Sequence, residues 1–348
     1  MTRVATPPPR PAAPTAADAG LHAGDYRPPR SLRNPHLQTL LGSSPWRRRR
    51  GEQRLAACNA VSTEHLIDAG EGVRLHGVHS ARPGVAARGL ALLLHGWEGS
   101  VDSSYMRLTA AALLECGFEV FRLNFRDHGD THHLNEALFH SNRIDEVVHA
   151  AGEVARRFAR RPLVVAGYSL GGNFALRLAL RAPAAGLPIA HVAAVCPVLD
   201  PARTMDAMES GLPVYERYFQ RKWRASLVRK RALFPTAFDV DDRTLGLPLR
   251  ALTRWLVERH TEFGTLERYF DGYSIGGARL AGVQVPVSVL TSADDPVIPV
   301  ADFAALTLPM NASLEIARHG GHCGFIENRH LDGFAERWVA SRLAAAVG

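Results

Sequence analysis

One serine in this chain stands where a nucleophile would. In Gly167-Tyr168-Ser169-Leu170-Gly171 a β-type run, "PLVVAGYS", ends and a helical run, "NFALRLAL", follows at once. A serine at the apex of a strand-to-helix turn holds strained backbone angles. Gly167 and Gly171 are needed there because a Cβ at either would collide with neighbouring backbone. The turn lifts the hydroxyl above the sheet, and the adjoining helix N-terminus favours developing negative charge. A bare GxSxG arises often by chance; one set in strand, turn and helix is specific.

The implied chemistry is acyl transfer through a serine, which needs a base and an orienting acid, in this architecture in the order Ser, acid, His. "VPVSVLTSADDPVIPVADF" is a strand running into an Asp-Asp-Pro turn. Pro296 ends the strand and fixes the turn, so the preceding Asp295 is the favoured acid. Asp294, and Asp200 after an earlier strand, are the alternatives. The base belongs on the loop after the last strand, in "ASLEIARHGGHCGF". There His322 follows two glycines that let the loop fold back, and is preferred to His319. His191, His260 and His330 read as surface histidines. "LALLLHGWEGS" ends a strand at His95-Gly96-Trp97, where the backbone N–H of Trp97 would join that of Leu170 in an oxyanion hole.

A rival seat of chemistry is "NFRDHGDTHHLNEALFH" (124–140), with four histidines and two aspartates. A catalytic zinc site needs about three His or carboxylate ligands and an open position. His128 and His132 are spaced i, i+4, but Gly129 and Asp130 between them favour a turn over a helix. The expectation is therefore no metal here. Asp127, His128 and Asp130 read as hydrogen-bonding groups that support the site from behind, and Asp294 joins them if Asp295 is the acid. "HSNRID" (140–145) spells an HxxxxD pattern known from acyltransferases, but such short patterns arise by chance. Its expected role is a helix N-cap through Ser141 or Asn142.

The elements that must position these groups are legible as alternating β-type and helical runs. Strands are expected at "STEHLIDA", "VRLHGVHS", "GLALLLH", "FEVFRLNF", "PLVVAGYS", "AHVAAVCP", "VPVSVLTS" and "ASLEIAR". Helices are expected over 104–115, 142–160 and 173–181. Continuous apolar strands separated by helices make an α/β protein with a mostly parallel sheet of about eight strands, covered on both faces. The alternation stops after Asp200, and 201–281 reads as a helical cap insertion over the strands' C-terminal edge. Its aromatics (Tyr215, Tyr218, Phe219, Trp223, Phe234, Phe238, Trp255, Phe263) could line an acyl tunnel, though most are expected to pack the cap. Residues 1–30 are rich in Pro and Ala and read as a disordered lead-in; 31–348 read as one domain.

Composition bounds the rest. The chain has 348 residues, 46% of them hydrophobic, and a net charge of +7 carried almost wholly by arginine, since Lys222 and Lys230 are its only lysines. That is an ordinary globular balance. The run "WRRRRGEQR" (46–54) could touch anionic lipid headgroups, but reads first as a solvated basic loop. No nucleic-acid motif accompanies it. Four cysteines (Cys58, Cys116, Cys196, Cys323) lack CxxC spacing, so neither a zinc knuckle nor a disulfide framework is indicated. The N-terminus lacks an apolar signal core and no run approaches the ~18 apolar residues of a membrane span, so a cytoplasmic location is the expectation.

Five motifs together, "RNPHLQTLL" (33–41), "LLLHGWEGS", "GYSLGGN", "SADDP" and "HGGHCGF", resemble the YheT-like branch of the α/β-hydrolases, relatives of the animal α/β-hydrolase-domain-containing lipid esterases. The likeness runs from about Ser31 to the C-terminus. It implies a capped α/β-hydrolase fold and carries the roles of a Ser–Asp–His system onto Ser169, Asp295 and His322. It also implies cofactor-free hydrolysis of carboxylic esters with medium-chain acyl or lipid-like groups. Some relatives transfer acyl groups to alcohols, so an acyltransferase with the same three residues is the alternative. A metal-dependent hydrolase using 127–140 and a non-catalytic ligand-binding module are the readings from other classes. Where many members have an Arg-Gly turn after the fourth strand, this chain has "NFRDHGDTHH", a departure at the pocket rim. Acyl length, head group and oligomeric state are not readable from the sequence.

Overall fold

The computed structural model describes residues 21–159 and 162–348. Eight strands form one sheet: β1 (Val61–Asp68), β2 (Arg74–Ala81), β3 (Leu90–Leu94), β4 (Glu119–Leu123), β5 (Leu163–Tyr168), β6 (Ile189–Val195), β7 (Val287–Ser292) and β8 (Ala312–Ala317). Their spatial order is β1-β2-β4-β3-β5-β6-β7-β8. β1 and β2 pair antiparallel, as do β2 and β4, and every other neighbouring pair is parallel. Each of the eight expected runs thus becomes a strand.

The central strands bury both faces, as their unbroken apolar runs require. Leu92, Leu94 and Val165 point into one core, and Ala91, Leu93, Val164 and Ala166 into the other. The first face is covered by α4 (Ile144–Phe158) and α5 (Leu170–Arg181). The second is covered by α3 (Ser104–Glu115) and α12 (Phe334–Ala346). Before β1 come α1 (Pro35–Gly42) and α2 (Pro45–Ala57). Between β6 and β7 the described chain forms helices alone: α6 (Pro201–Ser210), α7 (Pro213–Leu233), α8 (Asp242–Leu245), α9 (Leu249–His260) and α10 (Leu266–Tyr273). A short α11 (Val300–Ala304) lies between β7 and β8.

Three expectations fail locally, each for a packing reason. The basic run is α2, a helix rather than a solvated loop. Ser44 caps it by accepting from Arg47 N–H, and Pro45 stands at its start. It lies close on α3, where a Cβ on Gly51 would come within 3.1 Å of the Ser104 carbonyl. Arg47 is wholly buried, bonds Glu336 at 2.6 Å and donates to the Gly324 carbonyl. Of the lead-in expected to be disordered through residue 30, residues 1–20 lie outside the described residues, but residues 21–30 are docked. Tyr26 is buried against Phe325 and Phe334, and its hydroxyl donates to the Ile326 carbonyl. The large aromatic surface is what anchors a segment whose local composition favours disorder. Finally, Arg143 rather than Ser141 or Asn142 precedes α4, with no side-chain cap. Asn142 donates instead to the Tyr269 carbonyl, and Ser141 N–H to the Tyr269 hydroxyl, which joins this turn to α10.

The Arg47–Glu336 pair is buried at both ends, so removing one partner strands a charge. Arg47→Ala is expected to lower unfolding free energy by roughly 3–5 kcal/mol, read from urea denaturation. The double variant Arg47→Met/Glu336→Leu should recover most of that loss.

Candidate active site

The serine turn is built as its glycines require. Ser169 has φ 54° and ψ −120°, a left-handed conformation costly for a side chain with a Cβ. A Cβ on Gly167 would stand 2.1 Å from the Gly171 carbonyl oxygen, and one on Gly171 would stand 2.3 Å from that of Leu94. The ends of β3 and β5 are therefore pressed against the first turn of α5.

His322 reaches this serine from the loop after β8. Its Nε2 lies 2.9 Å from Ser169 Oγ, and its Nδ1 lies 2.9 Å from Asp295 Oδ2. The other Asp295 oxygen accepts from Val297 and Ile298 N–H, so the carboxylate is oriented by the turn that Pro296 makes. Nδ1–H donates to the carboxylate, and the Nε2 lone pair faces the serine hydroxyl. The other candidates go elsewhere. Asp294 accepts from Gly321 N–H and pairs with His319, which braces the histidine loop from the side. Asp200 caps α6 through Ala202 and Arg203 N–H. His191 is not a surface group: it lies half-buried in the sheet and bonds Ser288.

The backbone N–H groups of Trp97 and Leu170 have no hydrogen-bond partner among the described residues. Leu170 opens α5, where helical N–H groups are unpaired. Gly96 N–H, next to Trp97, is consumed by the Tyr105 hydroxyl at 2.9 Å. His95 fixes the same strand end. Its ring donates through Nδ1 to the Gly96 carbonyl and accepts Phe125 N–H at Nε2, and burial keeps it neutral.

The histidine-rich stretch holds the helix α7 rather than the reacting centre. Asp127 accepts from fully buried Lys230 of α7 at 2.8 Å, and Lys230 also donates to the carbonyls of His132 and Asn135. His132 bonds Ser226 of α7, and Asp130 pairs with Arg229. Burial lowers the pKa of His128 to about 4, of His132 to about 4 and of His140 to about 3. They are neutral at pH 7. His128 packs against His95 in a tilted pair, with ring centroids 4.8 Å apart, and donates or accepts nothing toward Ser169.

Two residues that the sequence reading passed over hold the histidine loop. Gln38 of α1 is wholly buried, accepts from Ile326 N–H at 2.7 Å and donates to the Ile326 carbonyl at 3.1 Å. Thr39 Oγ1 accepts from His322 N–H at 2.9 Å. The fit is close: a Cβ on Gly321 would stand 2.3 Å from the Pro35 carbonyl oxygen. Their only signal in sequence is membership of "RNPHLQTLL", a motif without a chemical reading of its own.

Ser169 borders two cavities. One is walled by apolar groups of the inserted helices, among them Met205, Met208, Phe219, Trp223 and Leu256. The second is walled by Thr39, Arg48, Trp97, Tyr218 and Lys222, together with His322 and Cys323. Burial pushes the Glu98 carboxyl in this wall up to about 7. Of the eight aromatics expected as tunnel candidates, Tyr215, Tyr218, Phe219 and Trp223 face these cavities. Phe234, Phe238, Trp255 and Phe263 pack within the helical layer instead.

The arrangement is a hydroxyl, an imidazole and a carboxylate in series, with two free N–H groups beside the hydroxyl and apolar space around it. A family model described as the Alpha/beta hydrolase family matches residues 91–337. The chain belongs to that family. This α/β hydrolase is similar to YheT of Escherichia coli (strain K12), a relative whose name designates a candidate esterase, at 26% identity over 341 residues and 94% of each chain. Among solved structures, the esterase Pf2001 of Pyrococcus furiosus aligns with a TM-score of 0.54 at 16% identity, covering 84% of this chain and 93% of that one. A Pyrobaculum calidifontis esterase aligns at 0.53 and 16% identity, covering 90% and 97%. At such identities the structural likeness is one of fold.

Burial opposes charge on His322, but the Asp295 carboxylate and its hydrogen bond outweigh burial and hold the pKa well above 6.5. A base must be neutral to take a proton, so the acid limb of kcat/KM should lie on the alkaline side of that value. Asp295→Asn removes the raising charge. It should move the limb to lower pH and cut kcat by about 10⁴-fold, measured as a pH–rate profile. Gln38→Ala, which leaves a buried N–H and carbonyl unpaired, should cost roughly 1–3 kcal/mol of stability and slow turnover as the histidine loop loosens.

Proposed function

We propose that this α/β hydrolase cleaves carboxylic esters through an acyl-enzyme on Ser169. The Ser169–His322–Asp295 hydrogen-bonded chain, opening onto an apolar cavity, is the observation that carries this reading. Ser169 Oγ attacks the ester carbonyl carbon while its proton passes to His322 Nε2, and Asp295 stabilises the imidazolium. The tetrahedral oxyanion accepts from Trp97 and Leu170 N–H, donors worth about 10²–10³ in rate each. Collapse expels the alcohol, which leaves with the proton from Nε2. Water, deprotonated by the same nitrogen, then hydrolyses the acyl-enzyme and restores the serine. No step calls on a cofactor.

The helices α6–α10 serve in this account as the cap, and the apolar cavity beneath them takes the acyl chain. Its Met205, Met208 and Leu256 walls suit an apolar acyl group. The alcohol portion then leaves through the second, more polar cavity. The esterase names of the relatives above agree with the reaction class. No helix of the described residues is long and apolar enough to cross a membrane.

A series of p-nitrophenyl esters of increasing acyl length tests the reading. kcat/KM should rise to a maximum in the medium-chain range and fall beyond it, and Met205→Trp should move the maximum to shorter chains. Ser169→Ala should remove turnover of every ester down to the residual level of about 10³–10⁴ over water. Full turnover by that variant contradicts the mechanism.

A further inference from the structure

Two thiols that are far apart in sequence meet behind the histidine. Cys196 follows β6 and is wholly buried, and Cys323 follows His322 directly. Both are free thiols. Cys196 Sγ, Cys323 Sγ and one ring nitrogen of His322 all lie within 4.8 Å of one another. Cys323 Sγ stands 4.0 Å from His322 Nε2, the nitrogen that faces Ser169. Both cysteines hold positive φ, 44° for Cys196 and 56° for Cys323, a conformation that non-glycine residues adopt at a cost. Neither thiol has a part in the proposed ester chemistry.

We propose that Cys196, Cys323 and His322 form a binding site for a soft divalent cation, Zn²⁺ by its ligand chemistry, and that occupation of this site switches the hydrolase off. Two thiolates and an imidazole are a ligand set that zinc takes, with a fourth position left open. In a tetrahedral site with Zn–S near 2.3 Å and Zn–N near 2.05 Å, N and S stand roughly 3.5 Å apart. The Cys323–His322 separation of 4.0 Å needs to close by about half an ångström, and the other pairs, within 4.8 Å, by at most roughly an ångström.

The orienting shell is already in place. A zinc-ligating histidine characteristically donates its other N–H to a carboxylate, which aims the free lone pair. Asp295 does this for His322 at 2.9 Å. The metal therefore competes with the Ser169 hydroxyl for the same Nε2 lone pair. Binding releases the two thiol protons and the water ligands that the protein atoms replace to solvent, forms two Zn–S bonds and one Zn–N bond, and breaks the Ser169–His322 hydrogen bond. The cation and its charge stay unchanged. Entry is through the cavity that His322 and Cys323 help to line. This site is separate from the histidine-rich stretch, whose buried imidazoles are engaged with α7 and the β3 end.

The inhibitory consequence rests on the esterase reading; the site itself does not. The test uses the full reduced chain, stripped with a chelator and titrated with Zn²⁺, and in parallel with Cd²⁺ as a spectroscopic probe. Expected are one high-affinity metal per chain, a thiolate-to-cadmium charge-transfer band, and loss of p-nitrophenyl ester turnover in step with occupancy, restored by chelator. Cys323→Ser and Cys196→Ala should each weaken binding by at least about tenfold, and the loss of turnover on adding Zn²⁺, taken relative to each variant's own metal-free rate, should need correspondingly more metal. His322→Ala should lose both metal and turnover. The absence of a thiolate band in the parent, or unchanged Zn²⁺ affinity in both cysteine variants, overturns the site. A parent that shows the band but hydrolyses no ester leaves the metal site standing and contradicts the esterase reading alone.

Discussion

The site depends on a contact with no room in it. The carbonyl of Leu94, at the end of β3, lies where any Cβ on Gly171 would have to be, and the Gly171 carbonyl does the same to Gly167. This mutual approach draws β3, β5 and the first turn of α5 together. Ser169 is thereby held in a left-handed conformation that an isolated chain would leave. The free N–H groups of Leu170 and Trp97 come from the two sides of the same contact. Serine, helix end and strand end are consequently one rigid unit, and the groups that act on substrate inherit its precision.

Around that unit, each supporting element is tied by buried polar bonds. Gln38 and Thr39 hold the histidine loop from α1, and Arg47 holds it from α2 through the Gly324 carbonyl. Lys230 does for α7 what Arg47 does for α2. It is a buried cation whose desolvation cost is offset by Asp127 and two carbonyls. Burial opposes charge on both members of that pair, so each depends on the other to stay ionised. Such pairs add little net stability, but losing either member leaves the other charge buried and unpaired.

Much of this was legible in the sequence because it rests on local rules. The strand runs, the glycines about Ser169 and the Asp-Pro turn are each short-range statements. Asp295, His322 and Ser169 accordingly meet in the structure as their loops suggested. What was not legible depends on tertiary partners. An arginine run reads as a solvated loop until Glu336, 289 residues on from Arg47, is found opposite it. The turn residues Gly129 and Asp130 argue in sequence against a metal site in 124–140, but the use of this stretch in holding α7 through Lys230 and Ser226 is not readable locally. Cys196 and Cys323 show no metal spacing in sequence because the end of β6 and the loop after β8, not a local turn, bring them together. Thr39 has no chemical signature at all, since it acts through the backbone of another residue.

The central claim is that Ser169 is a nucleophile activated by His322. It is tested most directly by treating the protein with a fluorophosphonate and locating the adduct by peptide mass spectrometry. The account predicts one adduct per chain, on Ser169, formed far more slowly in a folded His322→Ala variant. An adduct on another residue, or equal labelling rates in the parent and His322→Ala, would contradict it.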